Sequence, residues 1–568
     1  MNEAESAEAS EWPLRPWLLA GLLGTAGLLI HLVTGGRDDV PWQMAVAAFL
    51  FFGAIAAAFT LERNRWKQPA IFALAVGSVM AGLAWRAAPA SQYLPDEQYG
   101  FAAGVVATAL ALPLFQAGFL RTRLRTPYPE IYHHVWTDAI SAAGALAFTG
   151  ISWIVLALMS ELFRLLHIDL LSDLMGEGWF GWTFSGLAAG AALGTIRNQL
   201  KILATMQTVV LLVASLLAVP LAVGLVIFLL ATAVSGPQVL WDATRSATPL
   251  LLACSAGAFV LANAIARQGD EAMTRSRVMR IAGWTLAAVI LPLAVFAAVS
   301  MGLRLNQHGL SPARLWGSVA IVVAVACGLI YWIALIRGRK AGWAAHLRTS
   351  TFHFGLFVCG LALVLALPIV NFSAISTRNQ VARLQSGAVP VDEFDFAALR
   401  WDFGEPGRRA LRRLERSGNA RVAELADAAL AQTERVYSSF ERTVRADADF
   451  NLRVQPESAE LRRLVLDHLK GNPWQCNERC VALDLGAEAL GGRRVAIVQG
   501  GGYQEVVLKP GQSASVLPEE AAAAVALEDS SRVEIREVPT RYVFIDGKPL
   551  PKPLDEPTAA LEGPPPPR

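Results

Sequence analysis

From Met1 to about Val370 the chain alternates long apolar runs with short polar interruptions, and after that point the runs break up. Crossing the hydrocarbon core of a bilayer takes roughly 20 apolar residues in a helix. Eleven stretches meet that length, at about 14–34, 41–60, 69–88, 98–120, 138–160, 180–196, 204–234, 247–266, 281–303, 314–336 and 350–370. The stretch 204–234 carries Pro220 in its middle. Two crossings and a turn would need roughly 40 residues, so one long, proline-kinked helix is expected there.

Past Val370 the pattern changes period. GRRALRRLERSG and RVAELADAALAQTERVYSSFERTV read as two helices parted at Gly418-Asn419, and SAELRRLVLDHLKG as a third ending at Gly471 before Pro473. From about 481, RRVAIVQ, QEVVLKPG, SRVEIREV and RYVFIDGKPL alternate like strands, and Asp546-Gly547 marks a tight hairpin. The fold class that follows is an all-α polytopic membrane bundle of about eleven transmembrane helices with a C-terminal extracytoplasmic α+β domain. The expected divisions are 1–13 as an N-terminal tail, 14–370 as the multi-span domain, 371–475 as a helical region, 476–550 as a small β-rich unit, and a disordered Pro-rich tail at 551–568.

Charge orients the bundle. The loops that begin with LERNRWKQ hold 16 Lys and Arg, and the alternate set holds six. Basic residues are retained in the cytoplasm, so the N-terminus lies inside and an odd count puts the tail outside. The acidic MNEAESAEASE start, followed by an apolar stretch with no small-residue cleavage site, reads as a retained anchor. The net charge of +2 splits into +5 up to residue 370 and −3 beyond it, where 26 Lys and Arg face 29 Asp and Glu. Neither part has the basic surplus of a nucleic-acid binder.

Few positions in the bundle carry chemistry. No Asp, Glu, Lys or Arg falls near the middle of a span, which argues against an ion-coupled carrier. Gln116, Gln207 and Asn263 are the notable intramembrane amides, and they suit either a polar pathway or interhelical hydrogen bonding. Gly186, Gly190 and Gly194 recur every four residues on one helix face, where a neighbouring backbone can approach closely. PYPEIYHHVWTDA offers His133, His134 and Asp138, with Tyr132 and Trp136 as expected interfacial anchors. ELFRLLHIDLLSDLMGEGW, with His167 and Asp169, reads as an external interfacial helix. No catalytic signature, cofactor loop or complete metal set emerges, and Gly500-Gly501-Gly502 reads as a hairpin turn.

Three stretches carry a resemblance: ELFRLLHIDLL with the glycine-rich helix after it, the loop NQHGLSPARLWG at 306–317, and LPIVNFSAISTRNQVARLQSG leaving the last span. Together they resemble a family of bacterial integral membrane proteins described as domain of unknown function 4153. The resemblance implies a bacterial inner-membrane protein with many spans and carries over no catalytic residue. In the loop, Ser311 suits an N-cap with Pro312 at the first helical position.

NPWQCNERC brings Cys476 and Cys480 together in the tail. Outside the inner membrane a dithiol is oxidised, and two cysteines are too few for a closed zinc site even with His468, so a disulfide is expected. Two functional classes lead, and a third, a membrane enzyme acting on an envelope substrate, lacks any motif. One is an envelope scaffold, sensor or assembly factor, with the lipid bilayer and envelope proteins as partners. The other is a transporter for a weakly polar or lipid-like substrate.

Overall fold

A computed structural model describes residues 12–35, 40–63, 65–88, 95–236, 247–338, 342–432, 450–471, 476, 479–487, 492–499, 502–508, 515–516, 542–545 and 548–553. The chain divides into two compact units, Met1–Arg435 and Val436–Arg568.

The first unit is helical. Its long helices are α1 (Arg15–Thr34), α2 (Pro41–Thr60), α3 (Lys67–Ala87) and α4 (Pro95–Gln116), then, after the single turn α5 (Phe119–Thr122), α6 (Tyr128–Arg164). A short α7 (Leu170–Gly176) precedes α8 (Gly178–Asn198), α9 (Leu200–Ser235), α10 (Ala247–Ala266), α11 (Arg277–His308), α12 (Pro312–Arg337) and α13 (Trp343–Ala366). The doubtful stretch around Pro220 is one helix, α9. Ten of these helices are long and apolar enough to cross a membrane.

The eleventh expected span is α8, and it is not among those ten. Its sequence, GWFGWTFSGLAAGAALGTIRN, has Gly, Trp, Ser and Thr where the others have Leu, Ile and Val. It nevertheless runs antiparallel along nearly the whole of α1. At one end a Cβ on Gly178 would meet the His31 ring, and at the other a Cβ on Gly194 would come within 2.5 Å of Pro16 Cα. Between them, Cβ atoms on Gly186 and Gly190 would collide with the backbone carbonyls of Leu23 and Leu19. On α1, Gly27 abuts Trp182 O and Gly24 the Leu187 side chain. Backbone therefore touches backbone along this seam, which only glycine allows.

The segment ELFRLLHIDLLSDLMGEGW does not form one interfacial helix. Its first residues extend α6 to Arg164, a turn with His167 at φ 59° follows, and α7 takes only seven residues. NFSAISTRNQVARLQ, which shows little apolar periodicity, is helical nonetheless, as α14 (Phe372–Gln385). Asn371 caps it, and its buried face is made of Ser373, Ser376, Thr377 and Leu384. Three further helices, α15 (Phe396–Trp401), α16 (Gly404–Leu414) and α17 (Ala420–Ala431), complete this unit around Leu399, Phe403, Leu411 and Ala426.

The second unit is built on a five-stranded sheet in the order β1 (Asn451–Gln455), β2 (Arg479–Ala487), β3 (Arg493–Gln499), β4 (Gly502–Leu508), β5 (Ser515–Val516). Strands β1 and β2 run parallel, joined through α18 (Ala459–Gly471); the remaining neighbours are antiparallel. The boundary expected at 475/476 therefore falls inside this unit. Leu461, Val465 and Leu469 of α18 pack on Leu452, Val495, Ile497 and Val506 of the sheet, so the helix belongs with the strands. The five-residue β1 stands apart from the strand run that begins near 481, and isolated short strands leave little periodic signal. Gly502 pairs with Gln499 at the β3–β4 reversal. Arg493 donates to Asp484 across β2 and β3 and holds that carboxyl below the usual carboxylate range. A hairpin of β6 (Tyr542–Ile545) and β7 (Lys548–Pro553) flanks Asp546-Gly547. Asp546-Gly547 itself, the strand expected at SRVEIREV, residues 1–11 and the Pro-rich end lie outside the described residues.

Replacing Gly190 with Leu forces a side chain into the α1 backbone, whereas Gly150 on α6 has open space around it. Gly190→Leu should cost about 2 kcal/mol or more of stability and lower the yield of monodisperse protein in detergent. Gly150→Leu should leave both unchanged. Thermal unfolding followed on a sizing column checks the pair.

Candidate functional site

At one end of the first unit, the starts of α1 and α6 meet the ends of α2, α4 and α8 around a cavity of about 340 Å³. The C-terminal carbonyls of α2 need partners, as at every helix end. Gln116 Nε2 donates to Phe59 O at 2.8 Å, and Arg197 Nη1 donates to Ala58 O. Arg15 Nη1 reaches the Arg197 carbonyl at 3.0 Å, and Asn198 Nδ2 reaches Trp12 O at 2.8 Å. Gln116 Nε2 also approaches Asp138 Oδ1 at 3.3 Å. His133 and His134 line the same cavity. Gln116 Oε1 and Asp138 Oδ2 are buried there without a hydrogen-bond partner among the described residues.

A span starting at 138 leaves Asp138 at its edge, but α6 begins at Tyr128 and carries the carboxylate ten residues into the helix. The cavity thus combines two carboxylates, Glu62 and Asp138, with two imidazoles and the four guanidiniums of Arg15, Arg65, Arg121 and Arg197 beside helix ends. Its shared work is to satisfy carbonyls and join five helices. It also leaves acceptors open to a small polar guest.

Asn263 belongs to a different network. Its Nδ2 donates to Tyr331 Oη at 2.7 Å and to Phe259 O at 2.8 Å, and its Oδ1 accepts from Thr351 Oγ1 at 3.2 Å. These bonds link α10, α12 and α13. Tyr132, read from sequence as an interfacial anchor, is instead buried against Leu211 and Ala264. Gln207 is half-buried on α9 and is not among the described residues that line the Gln116 cavity. Close to Asn263, Arg348 of α13 places its fork on the end of α10. Its Nη2 and Nε donate to Ala266 O and Arg267 O, and its Nη1 pairs with Asp270 at 2.8 Å.

The opposite end is closed by a clasp. The stretch 306–317, expected as a loop, is the end of α11, a short turn at Gly309 with φ +71° and the start of α12, and a Cβ on Gly309 would strike Asn379, Gln380 and Arg383 of α14. Asn379 Oδ1 accepts from Leu310 N at 2.9 Å. Gln380 Nε2 donates to His308 O and Leu310 O, both at 2.8 Å, and Arg383 Nη2 donates to Gln307 O at 2.9 Å. Ser311 caps α12 through Arg314 N. Trp316 stacks on Tyr99 and meets Phe372 edge-on. Asp96, in the first turn of α4, accepts from Trp316 Nε1 at 3.3 Å and from Ser373 N at 2.8 Å, so it holds the start of α14. Two of the stretches that carry the family resemblance are therefore the two halves of one contact. The glycine-rich helix, in the third, forms the α1–α8 seam.

In the second unit the Cys476 and Cys480 sulfurs lie within bonding distance, with Cα atoms 5.3 Å apart. Both are buried in the α18–sheet core.

The clasp yields a test. Asp96→Ala removes the acceptor at the start of α14 and should cost about 1 kcal/mol locally. Trypsin should then cut at the exposed Arg378 faster than in the unaltered protein, read by mass spectrometry of the first fragments.

Neither characterised proteins nor solved structures yield a match to this chain. A family model does match, over residues 37–414, from just before α2 to the end of α16. That range holds the Gly309 turn, α14 and their clasp, and it ends before the second unit. By that match the chain belongs to the family described as a domain of unknown function (DUF4153).

Proposed function

We propose that the protein is a multi-pass inner-membrane protein of the bacterial envelope, with a cytoplasmic N-terminus and eleven crossings. In this reading it serves as a scaffold, sensor or assembly factor whose chain beyond α13 is offered to envelope proteins on the outer face. The observation that carries it is the course of α8. Although poor in Leu and Ile, α8 runs beside α1 from His31 to Pro16, and α1 is of membrane-crossing length and apolarity. Counting α8 as a crossing makes the total odd. It also keeps the 16 basic loop residues on one side.

The helix surfaces support a lipid surrounding. The apolar window of α6 is only 6% buried, and Leu146, Ile151, Ile154 and Leu158 are all exposed. In water such a helix would leave a large apolar face uncovered, whereas in lipid that face needs no cover. The cavity beside Asp138 is what favours the second reading, a transporter for a weakly polar or lipid-like substrate. That cavity sits at one end of the bundle, and the Asn263 network lies outside it.

Placement outside also makes Cys476 and Cys480 a disulfide, closing a short ring at the junction of α18 and β2 and contributing about 2 kcal/mol in the chain-entropy picture. Two measurements follow. A phosphatase reporter fused after Arg568 should be active and a fluorescent cytoplasmic reporter dark; the reverse pattern removes a crossing and moves the tail inside. Reduction of protein isolated from the envelope should add the mass of two hydrogens to the peptide holding the two cysteines, and no change would leave them as thiols.

A further inference from the structure

Beyond the clasp, α14 and α16 enclose a cleft of about 670 Å³ with an unusual lining. Arg409, Arg412, Arg413 and Arg416 stand at intervals of three, one and three along α16 and the turn after it, which places them on one helix face. Arg378 of α14 faces them. Among the described residues no carboxylate lines the cleft. Glu405 engages Arg412 at 2.8 Å, but it also takes Arg408 at 3.1 Å, and it stands outside the lining. Arg378, Arg409, Arg413 and Arg416 make no ion pair among the described residues.

Cations three and four residues apart on one helix repel each other. The row is nevertheless held in place, because the opposite face of α16 is locked into the core by Ala410, Leu411 and Leu414. One further polar group shares the cleft. Thr377 is 4% exposed and lines it, and its hydroxyl has no hydrogen-bond partner among the described residues. Five guanidinium forks and an unpartnered hydroxyl around one space are the donors that a phosphate group with several oxygens accepts from.

Position selects the source of that phosphate. The last apolar helix ends at Ala366, and the lining begins at Ala374, in the first turn of α14. Asp96 and the Gly309 turn tie α14 to the end of the bundle. Given the membrane reading above, on which this step rests, the cleft lies at headgroup level. We infer that the α14–α16 cleft binds the phosphate headgroup of an anionic phospholipid through Arg378, Arg409, Arg412, Arg413, Arg416 and Thr377.

The test uses the full chain in nanodiscs and in detergent, with native mass spectrometry reading retained lipid. The unaltered protein should retain phosphatidylglycerol in preference to phosphatidylcholine. The triple variant Arg409→Gln, Arg413→Gln, Arg416→Gln should lose that preference about tenfold or more. These side chains are exposed, so the fold should survive, which the sizing profile checks. The matching triple Lys variant keeps the charge without the fork and should retain less than the unaltered protein but more than the Gln variant. Equal retention of both lipids, or equal retention by unaltered and Gln proteins, overturns the site. Binding of inorganic phosphate without lipid preference overturns the lipid assignment. Membrane pelleting after an alkaline wash separates the two failures: a protein that stays in the pellet but shows no lipid preference sinks this site alone.

Discussion

Helices α1 and α8 meet backbone to backbone, and the packing of the first unit depends on it. Gly186, Gly190 and Gly194 on one helix meet the backbone at Leu23, Leu19 and Pro16 on the other. Their contact rests on close packing, for which glycine clears the space. The same glycines thin out the apolarity of α8. A helix with less apolar surface of its own is held by its neighbour instead.

The two ends of the bundle use polar chemistry in different ways. At one end, Gln116, Arg197 and Arg15 close the carbonyls of finished helices, and Asp138 shares their cavity. At the other, a reversed turn at Gly309 is gripped by three side chains of α14, whose own start is held by Asp96. Each end solves the same problem, that helix termini leave backbone groups unpaired. The arginine row of α16 differs from both. It is presented outward by a buried opposite face, and among the described residues no carboxylate lines the cleft it faces.

Nearly all the long helices were legible from runs of apolar residues, since a run of about twenty has few other uses. The polar helix α14 was not, because its buried face is Ser373, Ser376 and Thr377, and serine and threonine do not mark a helix face by hydropathy. Nor was the grouping of α18 with the sheet. Helical spacing in Leu461, Val465 and Leu469 announces a buried face but is silent about what covers it. Tyr132 shows the same limit, since an aromatic near a helix start suits an interface as well as a core.

By itself, then, the sequence determined the course and rough limits of the long helices, though it counted one more apolar span than the ten found, together with the bias of basic residues between alternate loops, the glycine face of α8 and the family. Those are properties of composition and short spacing, readable in one dimension. Tertiary structure decided which polar residues share a site. Asp96 reaches Ser373, Asn379 reaches Leu310, Gln116 reaches Phe59 and Arg378 faces Arg409. The first three pairs lie 57 to 277 residues apart in the chain, and Arg378 and Arg409 lie on different helices. Such pairs carry no local period, and only packing brings their side chains together.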